Sequence, residues 1–367
     1  MRILVTGAKG FIGKNLCFQL EEQGFTDIVK IDRDHSLQKL DNALETADFI
    51  YHLAGVNRPK NDDEFKQGNT DLTSHIVTKL NELNKATPIL LTSSIQAEQS
   101  NPYGISKAQA EDVVNKYGLQ SQAKVYIYRL PNVFGKWCRP NYNSMVATFC
   151  HNVANDLPLT INDPTAKVNL VYIDTVCEHF IHHLNNDEES GEQSVKPIYP
   201  TTVGEVANAL ELFKASKSSL ITENVGSGFL RALYSTYISY YSPEQFSYTV
   251  PAYTDPRGSF CELLKTKDAG QFSFFTAHPG ITRGGHYHHS KNEKFLVIKG
   301  QAKFRFEHIS TGECYELDVT GDDYRVVETV PGWTHDVTNI GDSELIVMLW
   351  ANEIFDREKP DTFAKPL

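Results

Sequence analysis

The chain has 367 residues, a length that predicts two domains. Hydrophobic residues make up 40% of the chain and charged residues 22%, which is typical of a globular protein. The formal net charge of −11 argues against nucleic acid or an anionic membrane surface as a partner, and no apolar run reaches transmembrane length. Scattered cysteines and the lack of a signal-peptide pattern predict a cytoplasmic protein.

Residues 1 to about 215 alternate short apolar runs with amphipathic stretches. Apolar runs bounded in this way predict buried parallel strands with helices between them. The predicted strands lie in RILVTG, DIVKID, FIYHLAG, PILLTSS and AKVYIYRLP. This alternation predicts an α/β doubly wound parallel sheet of the Rossmann type.

The pattern changes towards the C-terminus. Residues 216–245 have a helical apolar pattern and are predicted to connect two domains. Beyond residue 245 the helical period disappears, and short strands are separated by Gly, Pro and Asp, as in an antiparallel barrel or sandwich. We therefore expect an α/β domain at 1–245, including the connector, and an all-β domain at 246–367.

A glycine-rich loop follows the first predicted strand. The segment VTGAKGFIGKNL carries Gly7, Gly10 and Gly13 and leads into a predicted helix. Glycines let the backbone approach a pyrophosphate, whose charge is stabilised by the helix N-terminus. The second predicted strand ends at Asp32, about where a carboxylate would bind a ribose hydroxyl. The segment therefore predicts a dinucleotide-binding site.

A tyrosine and a lysine lie four residues apart at Tyr103 and Lys107, a spacing that places both on one face of a helix. This Y-x-x-x-K pair, the G-x-x-G-x-x-G loop, HLAG at 52–55 and RLPNVFG at 129–135 together resemble the extended short-chain dehydrogenases. The similarity covers most of residues 1–215.

This resemblance implies roles for individual residues. Tyr103 would exchange a proton with a sugar oxygen, helped by the charge of Lys107, and Ser94 would hydrogen-bond the same oxygen. Asn132 would lie near the substrate. The residues implied to contact the cofactor are Gly7, Gly10, Phe11, Ile12, Gly13, Asp32, Arg33, Leu53, Ala54, Gly55, Tyr103 and Lys107.

The chain departs from the dehydrating members of this family. They carry Asp-Glu directly after the catalytic Ser or Thr, whereas this chain has Ile95 and Gln96. The acid and base for water elimination are therefore missing, and we expect net reduction or oxidation of a sugar carbon.

The end of the second strand bears on the choice of cofactor. Asp32 can accept a hydrogen bond from a ribose 2′-hydroxyl, which favours NAD. Arg33 can pair with a 2′-phosphate, with Lys9 or Arg58 as further partners. Because a net reductase usually draws on NADPH, we expect NADPH.

The C-terminal region has a second set of motifs. The segment 280–300 fits the pattern G-x5-H-x-H-x4-E-x6-G and resembles the first cupin motif, and 331–339 resembles the second. In a strand, His286 and His288 point to the same side. With Glu293 and His335 they suit zinc or another divalent transition metal.

Two segments also resemble the deoxysugar 3,5-epimerases: TDPRGSFCEL and TRGGHYHH. This resemblance implies that His286 is the base that removes a proton next to a 4-keto group, and that Arg257 and Arg283 hold the nucleotide phosphates. The metal would then be held by His288, Glu293 and His335. The cupin resemblance instead makes His286 a fourth ligand. We favour the base, because this task suits a group that titrates near neutral pH.

The two-domain layout resembles the bifunctional capsular-polysaccharide enzymes of the UDP-N-acetyl-L-fucosamine pathway. It implies C3 epimerisation of UDP-2-acetamido-2,6-dideoxy-4-hexulose, followed by NADPH-dependent C4 reduction to the 6-deoxy-talose form. We expect a homodimer. Three alternatives remain open: a dTDP-4-keto-6-deoxysugar reductase with a non-catalytic cupin, an NADP(H)-sensing regulator, and a cupin that serves only in dimerisation.

Overall fold

The computed structural model describes residues 1–186 and 188–367. It divides into two compact units, each formed by two stretches of chain. The first unit comprises Met1–Leu210 and Arg231–Tyr241, and the second comprises Glu211–Leu230 and Ser242–Leu367. The sequence boundary at residue 245 stays a prediction.

The strands of the first unit form a parallel sheet and a smaller mixed sheet. They are β1 (Ile3–Thr6), β2 (Ile28–Ile31), β3 (Phe49–His52), β4 (Ile89–Ser94), β5 (Val125–Leu130), β6 (Asn132–Phe134), β7 (Lys167–Tyr172), β8 (Gly191–Gln193) and β9 (Tyr199–Thr202). The parallel sheet has the order β2-β1-β3-β4-β5-β8, and the small sheet has the order β6-β7-β9. The predicted parallel strands β1 to β5 are confirmed.

Helices connect these strands. They are α1 (Phe11–Glu22), α2 (Leu37–Thr46), α3 (Asp63–Phe65), α4 (Leu72–Glu82), α5 (Pro102–Ser121), α6 (Met145–Ala154), α7 (Ile173–Asn185), α8 (Val203–Ser219) and α9 (Gly228–Ile238). A π-helical segment, Lys66–Asp71, joins α3 to α4. Across residues 1–186 and 188–367, no helix combines the length and the apolar character that crossing a membrane requires.

The parallel sheet has an apolar core on each face. Ile3 and Tyr51 pack on one face with side chains of α1 and α7. Leu4 and Ile50 point the other way and pack with side chains of α2, α4 and α5. Burial on both faces explains why these strands are apolar at successive positions. The predicted doubly wound α/β fold is confirmed.

The second unit has antiparallel strands in two sheets. They are β10 (Ala252–Asp255), β11 (Gly258–Thr266), β12 (Gly270–Ala277), β13 (Thr282–Tyr287), β14 (Glu293–Lys299), β15 (Gln301–His308), β16 (Cys314–Thr320), β17 (Val326–Glu328), β18 (Trp333–Asn339), β19 (Leu345–Ala351) and β20 (Phe363–Ala364). The sheet orders are β10-β11-β12-β19-β14-β17 and β16-β15-β18-β13-β20. Phe275, Phe295 and Val347 of one sheet share a core with Phe304 and Val337 of the other. The predicted all-β, cupin-like fold is confirmed.

Candidate active sites

The glycine loop between β1 and α1 is packed tightly. Gly7 has φ +71°, and a Cβ atom there would lie 2.8 Å from the backbone nitrogen of Ala54. A Cβ atom on Gly13 would lie 2.2 Å from the carbonyl oxygen of Gly7. Only glycine fits at these two positions, which brings the loop close to the turn after β3. Such a loop at a helix N-terminus provides the close backbone approach that a pyrophosphate needs.

Asp32 follows β2 and faces this loop. Its Oδ1 atom accepts a hydrogen bond from the backbone N–H of Lys9 at 2.9 Å. Its Oδ2 atom is buried and has no hydrogen-bond partner among the described residues. A buried acceptor without a donor fits the ribose hydroxyl of a dinucleotide. Arg33 is exposed, whereas the ammonium of Lys9 is paired with Asp34 at 2.6 Å.

The turn after β3 contains Leu53, Ala54 and Gly55. The backbone N–H of Ala54 donates to Oγ1 of Thr6 at 3.2 Å, which holds the turn against β1. A Cβ atom on Gly55 would lie 3.1 Å from the Nζ atom of Lys107. The turn therefore lies beside both the glycine loop and the lysine of the Y-x-x-x-K pair.

Asn69 is a polar residue that the sequence analysis did not identify. It lies in the π-helical segment and is buried. Its side chain accepts a hydrogen bond from the N–H of Val56 at 2.9 Å and donates to Oγ of Ser106 at 2.9 Å. It thereby ties the turn after β3 to helix α5. No periodic pattern of the sequence marks such a role.

Tyr103 and Lys107 lie on the first turns of α5. Burial raises the pKa of Tyr103, and the nearby hydroxyl group of Ser94 opposes that shift in part. Burial lowers the pKa of Lys107 to about 8, and the nearby Glu111 carboxylate opposes that shift. The Nζ atom of Lys107 donates to the carbonyl oxygen of Thr92 at 3.0 Å. The structure therefore brings Ser94, Tyr103 and Lys107 together at the carboxyl end of β4.

The neighbouring serine points elsewhere. Ser93 hydrogen-bonds Glu111, whose carboxylate also pairs with Arg129 at 2.7 Å. This buried network leaves Ser94 as the serine that reaches Tyr103. Asn132 begins β6, two residues after Leu130, which pairs in register with Ser94. Asn132 is exposed at the same end of the sheet.

In the second unit, His286, His288, Glu293 and His335 converge. One ligand atom from each lies within 4.8 Å of all the others. The convergence follows from strand pairing, because His286 of β13 is in register with His335 of β18. His288 comes directly after β13, and Glu293 begins β14.

The contacts within this cluster fit a divalent cation. His335 is buried, and neither of its ring nitrogens has a hydrogen-bond partner among residues 1–186 and 188–367. Its Nε2 atom lies 3.4 Å from Oε2 of Glu293, and Nε2 of His288 lies 3.2 Å from the same oxygen. Two imidazole nitrogens facing one carboxylate oxygen are a typical donor set for zinc.

The surroundings of Glu293 strongly favour the ionised form of its carboxyl group. Burial by itself raises the pKa of this carboxyl group. The imidazoles of His288 and His335 and the ammonium of Lys291 nevertheless hold the pKa well below its ordinary value. Lys291 Nζ lies 2.9 Å from Oε1 of Glu293 and is itself buried. The sequence analysis did not single out Lys291, because one lysine between two motifs has no distinctive spacing.

His286 is the most accessible member of the cluster, being half-buried where the other three are buried. Burial, with a smaller contribution from the neighbouring His335, lowers its pKa to about 4. This value lies below the near-neutral range that the sequence analysis expected of the base. The imidazole is therefore neutral at pH 7 and can either accept a proton or bind a metal. Both roles remain compatible with its position.

Two arginines lie near each other in the same unit. Arg257 pairs with Asp255 at 2.6 Å. Arg283 donates from Nε to the carbonyl oxygen of Thr276 at 3.0 Å, whereas its Nη2 atom is buried without a partner in the described part of the chain. Burial lowers the pKa of Arg283, and the charge of Arg257 adds to that effect. An anion that accepts a hydrogen bond from Nη2 would satisfy this buried donor and would also balance the charge of Arg283 beside Arg257.

Comparisons with known families match both units. Residues 3–196 match the NAD dependent epimerase/dehydratase family. Residues 253–363 match the polysaccharide biosynthesis C-terminal domain.

Two individual proteins match this chain over nearly its whole length, and a third matches it over part. The chain is 54% identical over 365 residues to a UDP-2-acetamido-2,6-beta-L-arabino-hexul-4-ose reductase of Pseudomonas aeruginosa, covering 99% of this chain and 98% of that protein. A crystal structure of the capsular polysaccharide assembling protein CapF of Staphylococcus aureus matches with a TM-score of 0.92 and 42% identity over 100% of both chains. A UDP-glucuronic acid 4-epimerase of Bacillus cereus, at 20% identity and a TM-score of 0.51, covers 59% of this chain and 84% of its own, and it shares the fold alone.

Proposed function

Because this chain belongs to the NAD dependent epimerase/dehydratase family and is a capsule sugar-pathway enzyme, we propose that it is a bifunctional nucleotide-sugar enzyme. The cupin domain epimerises UDP-2-acetamido-2,6-dideoxy-4-hexulose at C3. The short-chain reductase domain then reduces C4 with NADPH, which gives UDP-2-acetamido-2,6-dideoxy-L-talose. The name of the Pseudomonas relative, a reductase of a UDP-linked 4-hexulose, supports the UDP sugar and the 4-keto group.

The observation that carries the reductase proposal is the meeting of Ser94, Tyr103 and Lys107 at the end of β4. When bound, the nicotinamide supplies a hydride to the sugar carbon. Ser94 and Tyr103 hold the 4-keto oxygen by hydrogen bonds, and Tyr103 gives its phenolic proton to that oxygen. The ammonium of Lys107 stabilises the tyrosinate that remains.

Asp32 and Arg33, which would lie beside the adenosine ribose of the cofactor, bear on the choice between NADPH and NADH. Arg33 is exposed, and no carboxylate partner of its side chain is found in the described residues, so it can pair with a 2′-phosphate. The unpartnered Oδ2 atom of Asp32 favours a free 2′-hydroxyl and supports NADH as the second candidate. We propose NADPH, because net reduction in biosynthesis usually draws on it.

The epimerase proposal rests on the His286, His288, Glu293 and His335 cluster. His288, Glu293 and His335 would hold a divalent metal, which we propose to be zinc and which supplies positive charge next to the substrate. His286 removes the proton from C3, because its imidazole is the most accessible of the three and is neutral at pH 7. A proton from solvent, returned to the opposite face of C3, completes the epimerisation. Its role as a fourth ligand is the alternative.

Further binding roles follow from the remaining site residues. Arg283, with its unpartnered Nη2 atom, and Arg257 hold the diphosphate of the nucleotide in the cupin domain. Asn132 contacts the sugar in the reductase domain, where it is exposed beside the catalytic group. A homodimer and a cytoplasmic location stay predictions from the sequence.

A direct test is to mix the purified protein with 4-keto-6-deoxysugars and follow cofactor absorbance at 340 nm. The proposal predicts rapid NADPH oxidation with UDP-2-acetamido-2,6-dideoxy-4-hexulose, slower oxidation of NADH and little turnover of the dTDP-linked sugar. Preference for the dTDP sugar would favour the reductase with a non-catalytic cupin. Tight NADPH binding without turnover of any sugar would favour a redox-sensing regulator.

A further inference from the structure

The C-terminal segment, residues 361–365, runs along strand β13 and next to the metal cluster. Strand β20 pairs with β13, with Ala364 opposite His286 and Phe363 opposite Tyr287. The backbone N–H of Lys365 donates to the carbonyl oxygen of Gly285 at 2.8 Å. The segment therefore forms an edge strand next to β13, the strand that carries His286.

The carboxylate of Asp361 binds the loop between β13 and β14. Its Oδ1 atom accepts from the backbone N–H of His289 at 2.9 Å. Its Oδ2 atom accepts from the backbone N–H groups of Ser290 at 2.7 Å and Lys291 at 2.8 Å, and from Oγ of Ser290 at 2.8 Å. One side chain, from some 70 residues further along the chain, thus satisfies three successive backbone donors of this loop.

The same residue also contacts a proposed metal ligand directly. The carbonyl oxygen of Asp361 lies 2.6 Å from Nδ1 of His288. Because a carbonyl only accepts hydrogen bonds, Nδ1 carries the proton and Nε2 presents its lone pair. That lone pair faces Oε2 of Glu293 at 3.2 Å, and two acceptors at this distance need a proton or a cation between them. The backbone contact thus sets the tautomer that a metal ligand needs.

We propose that Asp361 is a positioning residue for the metal site, an inference that rests on the metal site of the proposed function. Its backbone carbonyl fixes the tautomer and orientation of His288. Its carboxylate fixes residues 289–291, which lie in the loop between His288 and Glu293. Substitution of the side chain frees the loop and so misplaces both ligands.

The test compares Asp361→Ala with Asp356→Ala. Asp356 lies in the same C-terminal region, but among the described residues its carboxylate accepts only a local hydrogen bond, from the N–H of Glu358 at 2.9 Å. Zinc affinity is measured for the full-length proteins by competition with a chromogenic chelator. Loss of a residue that orients a ligand typically weakens metal binding by about 10- to 100-fold. We expect this loss for Asp361→Ala and an unchanged affinity for Asp356→Ala.

A second readout separates positioning from general stability. The cobalt-substituted Asp361→Ala protein should have an altered visible absorption spectrum, because the ligand geometry has changed. Asp361→Asn, which keeps one acceptor oxygen, should lie between the wild type and the alanine variant and serves if the alanine variant does not fold. Wild-type zinc affinity and cobalt spectrum in a folded Asp361 variant would overturn the inference while leaving the metal site intact. A wild-type protein that binds no zinc would overturn the metal assignment itself.

Discussion

Ser94, the last residue of β4, lies beside the phenol of Tyr103 in the first turn of α5. Its hydroxyl group opposes the effect of burial, which raises the pKa of Tyr103. The two hydroxyl groups are placed so that one carbonyl oxygen can contact both. This arrangement is the basis of the first two predictions.

Tyr103→Phe removes only the proton donor. We expect hydride transfer to fall by about 10²- to 10⁴-fold, the usual contribution of a general acid. Binding of NADPH, followed by its fluorescence, should stay at the wild-type level. The matched control is Tyr117→Phe on the same helix, whose hydroxyl donates to backbone carbonyls of Lys85 and Thr87 and should affect stability alone. Undiminished NADPH oxidation by Tyr103→Phe would rule out the reductase assignment.

The adjacent serines should have separable effects. Ser94→Ala removes a hydrogen bond to the reacting oxygen, and we expect kcat to fall about tenfold or more. Ser93→Ala removes the bond to Glu111 and should lower the free energy of unfolding by about 1 kcal/mol, without a change in kcat. Steady-state kinetics and denaturant titration measure the two effects. A larger loss of kcat in the Ser93 variant would mean that the serines have been assigned in the wrong order.

Lys107 should make stability depend on pH. Burial lowers its pKa from 10.5 to about 8, so between these pH values the unfolded chain binds more protons than the folded chain. The cost of burying the charge is therefore full below about pH 8 and declines as the pH rises towards 10.5. The melting temperature of the wild type should rise relative to that of Lys107→Met between pH 7.5 and pH 10. A constant difference over this range would contradict the predicted shift.

The two roles of His286 give different outcomes for His286→Asn. If His286 is the base, the variant keeps its metal and its fold but loses exchange of the C3 proton with deuterated water. His288→Asn and His335→Asn should release metal in either case, and Glu293→Gln should weaken metal binding. Metal analysis and mass spectrometry of the sugar measure both properties. A metal deficit in His286→Asn equal to that of His288→Asn would make His286 a ligand.

Much of the fold follows from local patterns in the sequence. The strands β1, β3, β4 and β5 are buried on both faces, so each appears as a short, largely apolar run. The convergence of His286 and His288 follows from the alternation of side chains along a strand. These features depend on residues that are close together in the sequence, so a local sequence pattern is sufficient to predict them.

Other features depend on contacts between distant parts of the chain. The bonds from Asp361 to the loop at 289–291 join positions some 70 residues apart, and no spacing rule applies to them. Asn69 reaches Ser106 from a π-helical segment whose extra residue per turn has no recognisable sequence pattern. Lys291 gains its role from burial beside Glu293. These residues are found only when the tertiary structure is known.

In the proposed function, one chain epimerises C3 and then reduces C4. The most direct test is a single reaction of the wild-type protein with the UDP-4-keto sugar and NADPH in deuterated water. We expect each product molecule to carry one solvent deuterium at C3, with inverted configuration there, and one NADPH to be consumed per product. A C4-reduced product that keeps its original C3 configuration and contains no solvent deuterium would contradict the proposed function.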